Sequence, residues 1–327
     1  MSIPSLPSAL TAAGLLATAL LTAQSSGPAA APPDFDPLLQ AQGRACVDGD
    51  RGRRLMGYYQ KLAAAKTEVR PFPTDVPEGA GAAFVAPPLW DNLGRLHFAV
   101  STTQALAQRY FDQGLNLAYA FNHAEAARAF RQASTLDPDC ALCYWGEALV
   151  LGPNINAPMD PQANATALAA LAQAQRLAPK ASARERALIA ALAQRYSSDA
   201  AAGRTTLDAA YAAAMAKVAA RFPGDADIAV LYAEALMDLS PWDYWEAAGA
   251  RPKGRTAEIL ALLENVLQRQ PDHPGAIHFY IHMVEASTDP GRALPYASKL
   301  GNLMPGAGHI VHMPFHIFYR AATTRTR

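Results

Sequence analysis

Five prolines close five alanine- and leucine-rich segments, and their spacing limits what this chain can fold into. Pro138, Pro179, Pro223, Pro271 and Pro305 are separated by 41, 44, 48 and 34 residues. Proline ends helices because it lacks the amide hydrogen and crowds the preceding turn. Five residues before each proline lie Ala133, Ala174, Val218, Val266 and Leu300. Eight before lie Phe130, Leu171, Met215, Leu263 and Ala297, and twelve before lie Ala126, Ala167, Tyr211, Ile259 and Ala293. All fifteen are non-polar or aromatic, and positions three and four apart share one helix face. The pattern predicts the same buried stripe in every segment. Few runs alternate at period two, the mark of strands. The expected fold is therefore all-α, a solenoid whose units bury their faces by stacking.

The segment FDQGLNLAYAFNHAEAARAFRQASTLDP resembles a tetratricopeptide (TPR) repeat: helix, turn, helix, then proline. The final proline spacing of 34 residues equals the TPR period. One departure stands out, Phe121-Asn122-His123 in place of the usual glycine turn. More narrowly, the chain resembles a group of exported bacterial TPR proteins of unassigned biochemistry. That likeness rests on YAFNHAEAARAF, LDPDCALCYWGEAL, GPNINAPMD, SPWDYW, HPGAIHFYIHMVEAS and AGHIVHMPFHI, and covers about residues 92–320. It implies a right-handed α-solenoid of helix-turn-helix repeats with a concave groove lined by first helices. It also implies a protein or peptide partner, because TPR arrays are mainly recognition scaffolds; a fold alone says little of function.

Residues 1–23 read as a signal peptide: an apolar run at 9–23 is followed by a small, polar stretch suited to cleavage after Ala23. No Lys or Arg precedes the run, and a disordered Ala/Pro tail is the alternative. No cysteine follows it directly, which argues against a lipoprotein. The expected location is periplasmic or secreted, in a bacterium. Residues 24–100 read as a spacer with one helix at 51–66 and a Pro/Gly-rich linker, and residues 101–327 as the repeat domain. No 18-residue apolar run follows the N-terminus, so no membrane span is expected after signal removal. Formal net charge is zero, which argues against a nucleic-acid partner. CALC, at 140–143, has neither a following histidine nor a second pair. Two small apolar residues at a helix start are expected there, with a local disulfide as the alternative.

The longer proline spacings come from three inserts, GPNINAPMDPQ, YSSDAAAGRTT and SPWDYWEAAGARPKGRT, each between the first and second helix of a unit. Inserts at one point of a repeat emerge on one side of the array. Loops that are long and aromatic tend to bind, so Asn154, Asn156, Trp242 and Trp245 are candidate loop contacts. Gap filling is the competing role for the two tryptophans.

Six of the eight histidines fall within residues 273–316. His278 and His312 lie 34 residues apart, as do His282 and His316. An H-x-x-x-H pair thus recurs on matching faces of neighbouring helices. His309 and Glu285 extend those faces, and Pro314 threatens the second helix with a kink. Three readings follow. Imidazoles beside a carboxylate suit a transition metal, Zn, Cu, Fe or Ni, and helix-borne His and Glu on facing helices are how bundles build metal sites. Alternatively the histidines, with Tyr280 and Glu285, line a groove for a polar or acidic ligand. Or they simply pack. No H-E-x-x-H, G-x-S-x-G or P-loop motif is present. The function expected is a non-catalytic solenoid that binds a protein, peptide or metal through a histidine-lined groove. The alternative is a metal-dependent enzyme at His278, His282, His312 and His316 with Glu285 as base. His97 and His123 stay outside either site. The last helix has no following partner in the sequence, so a truncated repeat is expected, with apolar surface exposed at Ile310, Phe315, Ile317 and Phe318.

Overall fold

A computed structural model describes residues 84–199 and 201–324, which belong to one compact unit, Ala83–Arg327. The expected signal peptide and the helix expected at 51–66 lie outside the described residues. The fold is all-α. Its helices are α1 (Ala105–Tyr119), α2 (His123–Leu136), α3 (Ala141–Val150), α4 (Ala163–Leu177), α5 (Ala183–Leu192) and α6 (Arg204–Arg221). They continue with α7 (Ala226–Met237), α8 (Thr256–Arg269), α9 (Pro274–Val284), α10 (Leu294–Leu303), α11 (Gly308–His312) and α12 (Pro314–Thr324). Among the described residues the sheet is limited to a two-stranded antiparallel ladder, β1 (Trp245–Glu246) with β2 (Arg251–Pro252). No helix among them is long and apolar enough to cross a membrane.

The proline punctuation holds. Each of the five prolines follows an even-numbered helix, α2 through α10, and precedes the next. All fifteen stripe residues are buried, and the three inserts fall between α3 and α4, α5 and α6, and α7 and α8. Local chemistry starts several helices. Ser182 and Glu185 form a reciprocal capping box on α5. Asp225 caps α7, and His273 accepts the Ala276 amide at the head of α9, with Pro274 at its first position.

Consecutive helices pack on one another, and α9 also returns to touch α1. That contact explains why every residue of α9 is buried. It depends on a missing side chain: a Cβ on Gly275 would lie 2.7 Å from the Tyr119 ring. A second close approach locks α1, α2 and α3. The Phe130 ring lies against Gly114, where an added Cβ would come within 2.8 Å, and against Gly146, where the overlap is tighter still.

Residues 84–100, expected as linker, belong to the helical unit instead. Polar side chains of α1 satisfy their extended backbone: Gln113 Oε1 accepts from the Trp90 amide at 2.9 Å, and Asp112 Oδ1 from the Phe98 amide at 3.0 Å. Tyr110 donates to the Pro87 carbonyl at 2.9 Å. Farther on, Glu185 Oε1 accepts the Ser101 amide at 2.7 Å. Leu93 and Phe98 are buried in the core as well, and Phe98 meets the Phe111 ring of α1 at 5.5 Å; the sequence reading missed the attachment because much of it runs through side chain–backbone hydrogen bonds.

Two further expectations are corrected. Cys140 and Cys143 form a disulfide, since the first turn of α3 brings side chains three apart together. Ile310 and Ile317 are fully buried, because α11 packs on α10 and α12 packs on α9 and α10; Phe318 remains exposed and Phe315 half-buried.

Substituting Gly146→Ala should lower stability by about 1–3 kcal/mol, because the Phe130 ring cannot yield without disturbing three helices. Thermal unfolding measures it, and an unchanged midpoint would show that α2 shifts freely.

Candidate metal centre

Helix α9 places His278 and His282 one turn apart, and α11 brings His309 to the same point. The Nε2 atom of His278 lies 3.1 Å from Nε2 of His282 and 2.9 Å from Nε2 of His309. Ligand atoms of the three all lie within 4.8 Å of one another, so the group could hold a metal ion. His278 and His282 are fully buried, at 0% and 1% exposure.

Their other ring nitrogens are committed. His278 Nδ1 lies 2.6 Å from the Tyr119 carbonyl, one of the terminal acceptors that a helix leaves without an intrahelical partner. A carbonyl only accepts, so Nδ1 carries the hydrogen. His282 Nδ1 lies 3.0 Å from Glu285 Oε1, and an ionised carboxylate likewise only accepts. Burial would raise the Glu285 carboxyl, but hydrogen bonds from His282 and His316 hold it down to about 2. Burial and the neighbouring His282 and His309 push His278 well below its ordinary value. Burial also lowers His282, against the pull of Glu285. Both imidazoles are therefore neutral at pH 7, with Nδ1 as donor and a bare lone pair on Nε2. Two lone pairs face each other at van der Waals distance.

Glu285 joins this trio to a second pair. Its Oε2 accepts from His316 Nδ1 at 2.6 Å, and His316 Nε2 lies 2.9 Å from His312 Nε2. Of the five histidines expected at the site, His309 thus takes the third central position, while His312 and His316 sit beyond the carboxylate. The tertiary approach of α11, not the 34-residue register, decides this. Glu285, expected as a ligand or base, accepts an Nδ1–H on each oxygen, from His282 and from His316.

The centre is roofed by aromatic rings. Phe121 lies 4.6 Å from His278, 5.6 Å from His309 and 6.0 Å from His282, centroid to centroid. Trp242 meets His282 edge-on at 5.1 Å and donates Nε1–H to the Ile155 carbonyl at 2.7 Å. Both aromatics adopt left-handed backbone, φ 55° for Phe121 and 64° for Trp242. Such conformations cost about 1–2 kcal/mol for a residue with a Cβ and cluster at functional sites. The sequence signal for Phe121 was the absent glycine of the helical turn, which carried no role in the sequence reading.

The expected groove is not an open wall here, because α1 and these rings cover the histidine face of α9. A cleft of about 360 Å³ remains beside it, lined by Phe121, Asn122, Asn154, Asn156, Gly308 and His309. Asn154 shapes the loop: its Oδ1 accepts the amides of Asn156 and Ala157 at 2.8 and 3.1 Å. Asn156 is exposed at the cleft edge. Two other expected contacts lie elsewhere. Tyr280 donates to Glu264 at 2.9 Å and accepts from Arg292 at 2.8 Å; two residues from either histidine, it is rotated about 200° around α9. Trp245 donates to the Met283 carbonyl at 2.6 Å and lines a different cleft of about 430 Å³. His97 pairs with Asp112 on the surface.

Comparison with protein-family models gives no match, and the curated proteins include none that matches the chain.

Two outcomes are expected. Phe121→Gly and Phe121→Ala both lose the ring, but only glycine relieves the left-handed backbone, so the glycine variant should be about 1 kcal/mol the more stable. An alanine variant of equal stability would remove the strain. The second concerns His123, lowered from 6.5 to about 4 by burial and then by the Arg195 guanidinium. The unfolded chain takes up this proton near pH 6.5 and the folded one near 4, so its contribution is present above 6.5 and lost as pH falls toward 4. The loss is at most about 1.4 kcal/mol per pH unit. Denaturant unfolding between these pH values measures it; His123→Asn should flatten that part of the profile, and an identical slope in the variant would count against it.

Proposed function

We propose that this protein is a metal-binding helical-repeat protein holding a transition-metal ion on the Nε2 atoms of His278, His282 and His309. The carrying observation is the pair of buried, neutral imidazoles whose unprotonated Nε2 atoms face each other at 3.1 Å. A metal cation between them would relieve that arrangement. Metal–imidazole bonds of about 2.0–2.1 Å in tetrahedral geometry separate ligand nitrogens by about 3.3 Å, within a few tenths of an ångström of the His278–His282 and His278–His309 spacings. The outer shell agrees: metal-bound histidine typically donates its second N–H to a carbonyl or carboxylate, as His278 and His282 do to Tyr119 and Glu285. An all-imidazole set suits Zn, Cu, Ni or Fe.

The protein is read as a tetratricopeptide-like solenoid of the exported bacterial kind, in keeping with the proline-punctuated helix pairs. The Cys140–Cys143 disulfide supports an oxidising compartment. Metal binding takes precedence over peptide capture, because the histidine face lies beneath α1, Phe121 and Trp242. One observation favours the enzymatic alternative. Three protein ligands leave a coordination position, as catalytic zinc sites do, and a cleft adjoins His309. Glu285 is no free base there, so such chemistry would use a metal-bound water.

Purified chain is expected to gain stability with Zn, Cu, Ni or Fe, by about 2.7 kcal/mol at a hundredfold excess over Kd. His278→Ala and His282→Ala should each abolish that increment. Affinity should weaken as pH falls below about 6.5, since the ligands must be deprotonated. No thermal shift with any of the four metals would sink the proposal, and affinity rising on acidification would point to an anion on imidazolium.

A further inference from the structure

We propose that His312 and His316 hold a second transition-metal ion, joined to the three-histidine site through the Glu285 carboxylate. This extends the reading above but stands on different ligands. Glu285 is placed symmetrically between the two groups: Oε1 accepts from His282 Nδ1 at 3.0 Å and Oε2 from His316 Nδ1 at 2.6 Å. The carboxylate therefore does for His316 what it does for His282. It takes the Nδ1 side of the ring and leaves Nε2 uncommitted to the carboxylate. That atom points at His312 Nε2, 2.9 Å away, close to the spacing in the first group.

The backbone keeps this pair together. His312 ends α11 and Pro314 opens α12, yet the amides of Met313 and His316 still reach the His309 and Met313 carbonyls, both at 3.1 Å. The expected kink is thus absorbed within one residue, and histidines four apart remain on one face. Their rings lie 4.8 Å apart, and the His316 ring is 6.0 Å from that of His282. His316 is 9% exposed at its side chain and His312 is half-buried, so water reaches the pair. Two imidazoles completed by water suit Cu(II), Ni(II) or Zn(II). Because one carboxylate orients a ligand of each site, occupation of either group preorganises the other, and the coupling must be reciprocal.

The test is calorimetric titration of the metal-depleted full chain with Zn²⁺ at neutral pH, repeated with Cu²⁺ under electron paramagnetic resonance. Wild type should take up two equivalents and show dipolar broadening between two Cu²⁺ ions. The His312→Ala/His316→Ala variant should keep one equivalent and lose the broadening. Glu285→Gln, whose amide offers one acceptor oxygen to two Nδ1–H groups, should weaken zinc binding by about 10–100-fold. A single wild-type equivalent that disappears in His278→Ala/His282→Ala would overturn the second site and leave the first standing. Two equivalents that persist in His312→Ala/His316→Ala would also overturn it. No uptake at all would remove both.

Discussion

The hydrogen bond from His278 Nδ1 to the Tyr119 carbonyl is the contact on which the centre depends. It spans 159 residues and joins the end of α1 to the middle of α9. It selects the His278 tautomer, and so decides that Nε2 faces its neighbours as a lone pair. The bond needs α9 to lie against α1, and that approach needs Gly275, where any side chain would strike the Tyr119 ring. Small-residue packing and tautomer choice are thus one problem in this fold. The same carbonyl is an acceptor that α1 cannot use internally, so the helix end is satisfied by the site rather than by solvent.

Aromatic residues occupy positions where glycine would be easier. Phe121 closes the turn after α1 and Trp242 sits in the long insert after α7, both with positive φ. Each stacks on or abuts imidazole rings. Covering a group of neutral histidines with apolar surface disfavours their protonation, which is what a metal ligand needs. The backbone strain and the ring contacts therefore belong together. The insert at 152–162 completes the arrangement through Ile155, whose carbonyl anchors Trp242.

Much of the fold was legible in residue order. Helix ends follow from prolines, and the buried stripe follows from residues placed five, eight and twelve before them. These are local properties, carried by φ restriction and by the helical period. The site was legible in part. His278 and His282 are in the candidate set because histidines four apart share a face, and His309 because it lies three before His312. Their grouping was not, since the 34-residue register pairs His278 and His282 with His312 and His316. Tyr280 illustrates the limit from the other side: proximity in sequence put it beside the histidines, and helical rotation carried it to Glu264 and Arg292.

By itself, the sequence determined an all-α chain, the places where its helices stop, which face of each is apolar, and which short segments hold imidazoles. Those features depend on contacts within one or two turns. Tertiary structure alone decided which three histidines converge, which nitrogen of His278 and of His282 carries the hydrogen, and that Glu285 serves two rings. It also decided that residues 84–100 lie along α1 and that the cysteines of CALC are joined. These outcomes depend on distances between atoms far apart in the chain, down to tenths of an ångström, and on acceptors such as a backbone carbonyl that every residue has and no sequence pattern marks.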